Sequence, residues 1–514
     1  MTVIRKVRRL RRSREMGGYY LGIDQGTTLT TALIMDEDWK IIARGSREHR
    51  QIYPRPGWVE HDPVEIYECF VGAIRTAIAE AGIRASDILC MGLDHQGETC
   101  LIWDKKTGEP LYNAIVWQDR RTADFAQELK EKHGDYIHRI TGVLPDSYYT
   151  GTKIRWILDH VEGARQRAAR GELLAGTLNT WLIWNLTGGE TFLTDAGSAG
   201  RWMMMDLATT EWDRKIMDLL EIPENIIAPI TDCNRSFGRT KPELFDGARI
   251  PIAGCLTDSQ AGLIGGGGCS AGTLKNSYGT GSFMGLVTGD KYILSEQGLM
   301  TVCAFRTGGR PTYVLSGAVY IAGAAIQWLR DGLGFIQSPG DTEAMAASVA
   351  DSGGVYFVPA FAGLATPYWD QYARGGFLGL TGGVTKEHMV RAVLESVAYQ
   401  TTDCYRAVRA EYDGRIPAMR ADGGMVDNGL LMQLQADMLG IPVVVPAEKE
   451  TAAFGSACMA AYTIGALSSL EDVKTFTKMK KEYEPRMSVD ERETRMNMYH
   501  RAVDRCREWI ACQE

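Results

Sequence analysis

Acidic and hydroxyl side chains follow an apolar stretch close to the beginning of the sequence. Residues 20–32 have the sequence YLGIDQGTTLTTA, in which Asp24 and Gly26 are followed by the hydroxyls of Thr27 and Thr28. Glycine lets an anion approach the backbone N–H groups, because no Cβ intervenes. No Gly-Lys-Ser/Thr follows, so this is not a Walker-type loop. The stretch predicts a hairpin that binds a metal-bound polyphosphate, and the alternative is an ordinary β-hairpin with a polar turn.

The second half of the sequence contains a similar arrangement. Residues 274–282, LKNSYGTGS, form a predicted strand that leads into a turn containing Gly279, Thr280 and Gly281. Two phosphate-type hairpins, one in each half, indicate a duplicated domain that closes on a nucleotide from both sides. Farther along, Gly423 and Gly424 precede a predicted helix, and a glycine turn before a helix offers N–H groups to a nucleotide.

Two further apolar runs end in polar residues. Residues 88–93 are followed by DHQGET at 94–99, and residues 250–254 lead to TDSQ at 257–260. Polar groups at strand ends are well placed to line a cleft in an α/β domain. Elsewhere, we expect helices over 64–81, behind an Asp62 cap, and over 317–331.

Length and composition narrow the class of protein. A chain of 514 residues is too long for one core, so two large domains are expected. The net charge of −8 argues against a nucleic-acid binder. The eleven cysteines form no C-x-x-C pair, which predicts reduced thiols in a cytoplasmic protein. No apolar run approaches the roughly 20 residues that span a bilayer, so no membrane partner is expected.

The first residues are strongly basic and differ from the rest. We expect 1–17 to be a disordered extension, with a targeting peptide or a nucleic-acid arm as alternatives. An N-terminal domain is then expected over 18–262, and a C-terminal domain over 263–514.

These motifs resemble those of the FGGY family of carbohydrate kinases, above all its glycerol kinase branch. The resemblance covers Tyr20 to Glu484. The matching segments are GIDQGTT, QIYPRPGWVEHDP, NAIVWQDRRT, NSYGTG, PYWDQYARGGFLGLT and DGGMVDN. It implies an α/β protein with a duplicated actin/Hsp70-type, ribonuclease H-like ATPase fold and two domains around a deep cleft. It also implies ATP with Mg²⁺, transfer of the γ-phosphoryl group to a primary hydroxyl of a polyol, and a homodimer or homotetramer.

The resemblance assigns roles to individual residues. Asp258 would be the catalytic base, although an aspartate there also suits a helix cap, and Asp24 would hold Mg²⁺ through water. The implied nucleotide-binding residues are Gln25, Gly26, Thr27, Thr28, Thr280, Gly281, Gly323, Gln327, Gly424 and Asn428, and the last four of these would line the nucleoside side of the cleft. The implied acceptor-binding residues are Glu98, Trp117, Tyr148, Asp258 and Phe283, together with Gly97 and Ser259 at altered positions.

The acceptor site departs from the family pattern. Glycerol kinases carry an arginine where this sequence has Gly97, and a glutamine where it has Ser259. Losing two long polar groups predicts a larger site without its guanidinium, for a tetritol, a pentitol or a ketose. His95 would then either bind an added hydroxyl or serve a structural role. The competing interpretation is that water fills the gap and glycerol is still used.

An ATP-binding regulatory module is the alternative class of protein. The actin-like fold also hosts ATP-binding regulatory modules without kinase activity, so the fold alone does not decide. A nucleotide switch has no need of a polyol pocket, and Glu98, Trp117, Tyr148 and Asp258 therefore favour the kinase.

Overall fold

The computed structural model describes residues 18–510, and the predicted extension at 1–17 lies outside them. The strands are β1 Tyr19–Gln25, β2 Leu29–Met35, β3 Ile41–Glu48, β4 Glu60–His61, β5 Ile88–His95, β6 Cys100–Asp104, β7 Ala114–Ile115, β8 Leu173–Thr177, β9 Thr194–Asp195, β10 Ile230–Thr231, β11 Ile252–Thr257, β12 Leu274–Tyr278, β13 Ser282–Gly289, β14 Met300–Thr307, β15 Arg310–Val319, β16 Tyr356–Val358, β17 Gly376–Leu378, β18 Met419–Asp422, β19 Val443–Pro446 and β20 Met479–Tyr483. The α-helices are α1 Pro63–Ala81, α2 Ala123–Thr141, α3 Thr150–His160, α4 Ala164–Ala169, α5 Leu178–Leu186, α6 Ala196–Ala199, α7 Arg214–Leu219, α8 Asp258–Gly265, α9 Gly323–Asp331, α10 Asp341–Ala347, α11 Lys386–Glu411, α12 Gly429–Leu439, α13 Thr451–Ile464 and α14 Val489–Cys506.

The first large sheet has the strand order β11-β5-β1-β2-β3. Strand β1 pairs with β2 in antiparallel fashion and with β5 in parallel, and β5 pairs in parallel with β11. The carboxyl ends of three parallel strands therefore meet at one edge of the sheet, and Asp24 and Asp258 lie at that edge.

The second large sheet repeats this plan. Its order is β14-β15-β13-β12-β18-β19-β20. Strand β12 pairs antiparallel with β13 and parallel with β18, and β18 pairs parallel with β19. Strand β12 thus holds the place of β1, and the turn after it holds the place of the Asp24 hairpin. The duplication predicted from the two hairpins is confirmed.

Local sequence features explain where several elements begin. Helix α1 begins at Pro63, and the Asp62 side chain accepts a hydrogen bond from the Val64 backbone at 2.9 Å. This is the predicted cap, with proline in the first turn, where its missing N–H costs nothing. The predicted helix at 317–331 is wrong at its start, because residues 310–319 pair with β13 and β14 as strand β15. Only α9, from Gly323 onward, is helical.

A row of glycines lets a helix from the second half lie directly on the first sheet. Gly22, Gly92 and Gly254 are neighbours across β1, β5 and β11, and α13 crosses them. An ideal Cβ on Gly22 would stand 1.8 Å from the carbonyl oxygen of Ala453, and one on Gly92 1.8 Å from that of Ser456. Only glycine permits backbones to approach this closely.

The same helix also fixes α8. An ideal Cβ on Gly455 would lie 1.8 Å from the Ala261 carbonyl oxygen, and one on Gly265 1.9 Å from the Thr451 carbonyl oxygen. Helices α8 and α13 are therefore in backbone contact. Since α8 begins at Asp258, this contact sets the depth of that carboxylate in the cleft.

The composition predicted reduced cysteine thiols and no membrane-spanning segment. The cysteines of the described residues are free thiols, most of them buried. None of the helices found between residues 18 and 510 has the length and apolar character needed to cross a membrane.

Substitution of Gly92 tests the glycine row. We expect Gly92→Ala to lower the free energy of unfolding by about 3 kcal/mol or more, because its methyl would overlap the Ser456 carbonyl. Denaturant unfolding measures the change. Gly383→Ala is the matched control, since nothing lies within 4 Å of an ideal Cβ there and the stability should stay the same. Equal stabilities of the two variants would contradict the close packing.

Candidate active site

A cavity of about 300 Å³ lies in the cleft, lined by residues from both halves of the chain. The predicted residues that line it are Asp24, Thr27, Gly97, Glu98, Trp117, Tyr148, Asp258, Ser259, Thr280, Gly281 and Phe283. The residues predicted for the metal, for the acceptor and for the phosphates thus surround one space.

The Asp258 carboxylate lies at the start of α8, directly after β11. Its Oδ1 accepts hydrogen bonds from the Ser259 backbone N–H at 2.6 Å and from the Ser259 hydroxyl at 3.1 Å. Burial in the cleft raises the pKa of Asp258, and the hydrogen bond from the Ser259 backbone partly offsets that rise. A carboxylate with a raised pKa is a better proton acceptor than an exposed one.

Two further acidic residues, Asp24 and Asp94, lie near Asp258. Asp24 and Asp94 are neighbours on β1 and β5. Burial raises the pKa of Asp24 to about 7, with the charge of Asp258 adding to the rise, and burial raises the pKa of Asp94 well above its usual value. Among the described residues, Oδ1 of Asp24 and both carboxyl oxygens of Asp94 have no hydrogen-bond partner. Such oxygens suit a hard cation.

These carboxylate oxygens fit Mg²⁺ that is bound together with a nucleotide. No group of three or more His, Cys, Asp or Glu side chains suited to a metal occurs in residues 18–510. Mg²⁺ in phosphoryl-transfer sites takes one or two carboxylates, and waters and phosphate oxygens complete its shell. Asp24 at the cavity wall satisfies that requirement.

Three aromatic rings form the wall of the acceptor side. Trp117 contacts Tyr148 and Phe283 edge to face, with both centroid distances at 6.0 Å. Its indole Nε1 donates a hydrogen bond to the Thr27 hydroxyl at 3.0 Å. Phe283 comes from the second sheet, so this wall connects both halves to the first phosphate hairpin.

A guanidinium lines the cavity next to Glu98. The Nη1 atom of Arg201 lies 3.4 Å from Oε1 of Glu98, and the two residues are 4% and 3% exposed. Burial raises the pKa of Glu98 to about 6, and the charge of Arg201 opposes this. The expectation of a cavity without a guanidinium is therefore wrong, because Arg201 reaches it from the segment after α6. Around Gly97 there is open space, with no heavy atom within 4 Å of an ideal Cβ.

A buried lysine lines the same cavity from the second half of the chain. Lys275 lies on β12, and its Nζ is 2.9 Å from an Asp422 oxygen and 2.8 Å from the Ser277 hydroxyl. The Thr451 hydroxyl, at the beginning of α13, also donates to Asp422. Lys275, Asp422 and Thr451 all line the cavity, and the sequence interpretation did not include them. A charge inside the strand sequence LKNSY was the available signal for Lys275.

A second cavity, of about 460 Å³, adjoins the first. Gly279 and Thr280 line both cavities. All four residues predicted for the nucleoside side line the second one: Gly323, Gln327, Gly424 and Asn428. The turn after β12 therefore lies between a cavity with the residues predicted for the acceptor and the phosphates and a cavity with those predicted for the nucleoside.

Four predicted residues line neither cavity. Gln25 is buried, and its Nε2 donates a hydrogen bond to the Gly26 carbonyl at 2.8 Å, which stabilises the hairpin turn. Thr28 is exposed. His95 is fully buried, and its Nε2 lies 2.9 Å from the Ser198 hydroxyl. Burial lowers the pKa of His95 to about 3. These surroundings favour the structural interpretation of His95, and Gln25, Gly26 and Thr28 shape the turn rather than face the cavity.

Comparisons with known proteins agree with this geometry. The model of the FGGY N-terminal domain of carbohydrate kinases matches residues 19–265, and that of the C-terminal domain matches residues 274–464. Glycerol kinase 2 of Thermotoga maritima is 47% identical over 96% of this chain and 99% of its own length. Glycerol kinase of Caldanaerobacter subterraneus is 46% identical over 96% of this chain and 99% of its own length.

Solved structures extend the likeness to the fold. Plasmodium falciparum glycerol kinase with ADP has a TM-score of 0.88 at 32% identity, covering 95% of this chain and 98% of that one. Gluconate kinase of Lactobacillus acidophilus, at 22% identity, has a TM-score of 0.83, covers 95% and 97% of the two chains, and shows the fold alone. The predicted two-domain actin/Hsp70-type ATPase fold is confirmed. The regulatory-module alternative gains no support, and the chain belongs to the FGGY family of carbohydrate kinases, as an ATP-dependent sugar or polyol kinase.

Proposed function

We propose that this kinase transfers the γ-phosphoryl group of ATP to a primary hydroxyl of glycerol or a larger related polyol, with Asp258 as the base. The observation that carries the proposal is the position of Asp258, in one cavity with Glu98 and the aromatic wall, next to the cavity on the nucleoside side. The names of the relatives, glycerol kinases from two bacteria, support a polyol as the acceptor.

The chemistry requires an aimed nucleophile more than covalent catalysis. Asp258 accepts the hydroxyl proton as the acceptor oxygen bonds to the γ-phosphorus. The bond from that phosphorus to the oxygen bridging to the β-phosphate breaks, and ADP leaves with the bonding electrons. The products are a polyol phosphate monoester, ADP and the proton that Asp258 releases.

The phosphates would lie between the two hairpins. Thr27 lines this space from the first half of the chain and Thr280 and Gly281 line it from the second, so the Thr27 hydroxyl and the N–H groups of Thr280 and Gly281 would bind them. Lys275 adds a cation on the same side. Asp24 would hold Mg²⁺, which when bound neutralises charge on the phosphates.

The nucleoside would occupy the second cavity. Gly323 lies against the β12 turn, where an ideal Cβ would be 2.6 Å from the Gly279 carbonyl oxygen, so a side chain there would press on the turn. Asn428 accepts a hydrogen bond from the Leu431 backbone at 2.9 Å and thereby caps α12. A rigid helix start next to the cavity positions Gly424.

The homo-oligomeric state, the cytoplasmic location and the domain boundary after residue 262 stay predictions.

Replacement of the proposed base is the direct test. We expect Asp258→Asn to lower kcat at least about a hundredfold with any polyol, because the amide cannot take the proton. Coupled ADP release measures kcat, and calorimetry should show ATP binding retained. Asp213→Asn is the matched control, because Asp213 caps α7 through the Ile216 backbone and lies outside the cavity. An active Asp258→Asn enzyme would overturn the role of Asp258.

The hydrogen bond from Trp117 to Thr27 gives a second prediction. Trp117→Phe keeps the aromatic wall and removes the donor, so we expect kcat/KM for ATP to fall about threefold to tenfold. Steady-state kinetics at varied ATP measure it. Trp212→Phe likewise removes an indole hydrogen bond, here 2.9 Å to the Ala228 carbonyl and outside the cavity, and should leave this value unchanged. The same decrease in both variants would indicate a general loss of packing.

A further inference from the structure

A small chamber opens from the acceptor cavity behind Ser259. Its volume is about 40 Å³, and Arg201, Ser259 and Phe283 line both the chamber and the main cavity. A space of about 10–15 Å³ already holds one water. The chamber therefore has room for one hydroxyl-bearing carbon of a ligand that enters from the cavity.

Some polar groups in and near this chamber have no hydrogen-bond partner among the described residues. Gln260 lines the chamber at 3% exposure, and neither its Oε1 nor its Nε2 makes a hydrogen bond among the described residues. The same is true of Nε of Arg201 and Oε1 of Glu98 in residues 18–510. Buried polar atoms are seldom left unsatisfied, because each unmade bond is costly. Gln260 lines the chamber, Glu98 lines the cavity and Arg201 lines both.

Arg201 has unused hydrogen-bonding capacity in the cavity wall. Its guanidinium lies 3.4 Å from Glu98, a separation that permits charge attraction and leaves hydrogen-bonding capacity on both sides. A planar guanidinium beside a carboxylate presents donors and an acceptor together, which suits two neighbouring hydroxyls. The open space at Gly97 leaves that pair accessible to a ligand longer than three carbons.

We propose that Arg201 is an acceptor-binding residue that sets specificity for a polyol of at least four carbons, such as a tetritol. Its guanidinium donates to one acceptor hydroxyl at the mouth of the chamber, and Glu98 accepts from the neighbouring one. Gln260 bonds the terminal hydroxyl inside the chamber. This inference rests on the proposed function, because it names the acceptor of the same phosphoryl transfer.

Kinetics with glycerol, erythritol and threitol test the proposal. For the wild type, we expect kcat/KM with one tetritol to exceed that with glycerol at least about tenfold, since the extra hydroxyl satisfies buried groups. A higher value for glycerol would overturn the inference and leave the kinase function standing. No ADP release with any polyol, despite ATP binding, would overturn the proposed function itself.

Variants then separate a role in binding from a role in folding. In Arg201→Met and Gln260→Leu, we expect the tetritol-to-glycerol ratio of kcat/KM to fall at least about tenfold, mainly through KM. If Arg201→Met does not fold, Arg201→Lys keeps the charge without the planar fork, and the ratio should fall in it as well.

A control arginine shows what a structural role would do. Arg306 is partly buried, with 11% of its side chain exposed, and lies 2.8 Å from Asp232, outside both the cavity and the chamber. Arg306→Met should lower the thermal stability and leave the ratio unchanged. A ratio within twofold of wild type in both Arg201→Lys and Gln260→Leu would overturn the proposal.

Discussion

Backbone contact between α13 and the first sheet is the constraint on which the site depends. Gly22 and Gly92 allow the helix to lie on the strands with no side chain between them. The helix belongs to the second half of the chain and the strands to the first, so this contact joins the halves where the parallel strands end. It also places Thr451, the first residue of α13, in the wall of the cavity.

The contact brings three acidic side chains together at the carboxyl edge of the first sheet. Asp24, Asp94 and Asp258 come close together at the carboxyl edge of the sheet, and burial raises the pKa of all three. Lys275 and Arg201 are the cations nearest to them in the cavity wall. Such a site favours a ligand that brings its own positive charge, and ATP with Mg²⁺ meets that requirement. In the proposed function, the acceptor would then occupy the side walled by aromatic rings.

Sequence reasoning predicted the parts of the site that are encoded locally. The Asp24 hairpin, the turn at Gly279–Gly281 and the strand that leads to Asp258 each depend on a few adjacent residues, and each was found. Arg201 was missed because GSAGRWMMM contains no local sign that its arginine points into a cleft. Its position depends on the packing of the α6 segment against β14, which is distant in sequence.

Apolar runs in which the hydrophobic residues repeat with neither helical nor strand spacing were the other source of wrong predictions. Residues 317–319 fit a glycine-led helix by composition, yet pairing with β13 and β14 makes them a strand. The absence of an arginine at position 97 was read correctly, but the conclusion that the site lacks a guanidinium was not. Arg201 lines the cavity from a different segment of the chain, which only the fold reveals.

The central claim is that the cleft directs the γ-phosphoryl group to a primary hydroxyl of a polyol. The most direct measurement is ³¹P NMR of the products formed from ATP with glycerol and with erythritol. The account predicts a phosphate monoester whose signal is split by the two protons of a CH₂ group. Inorganic phosphate as the sole new product, or an ester split by a single proton, would contradict it.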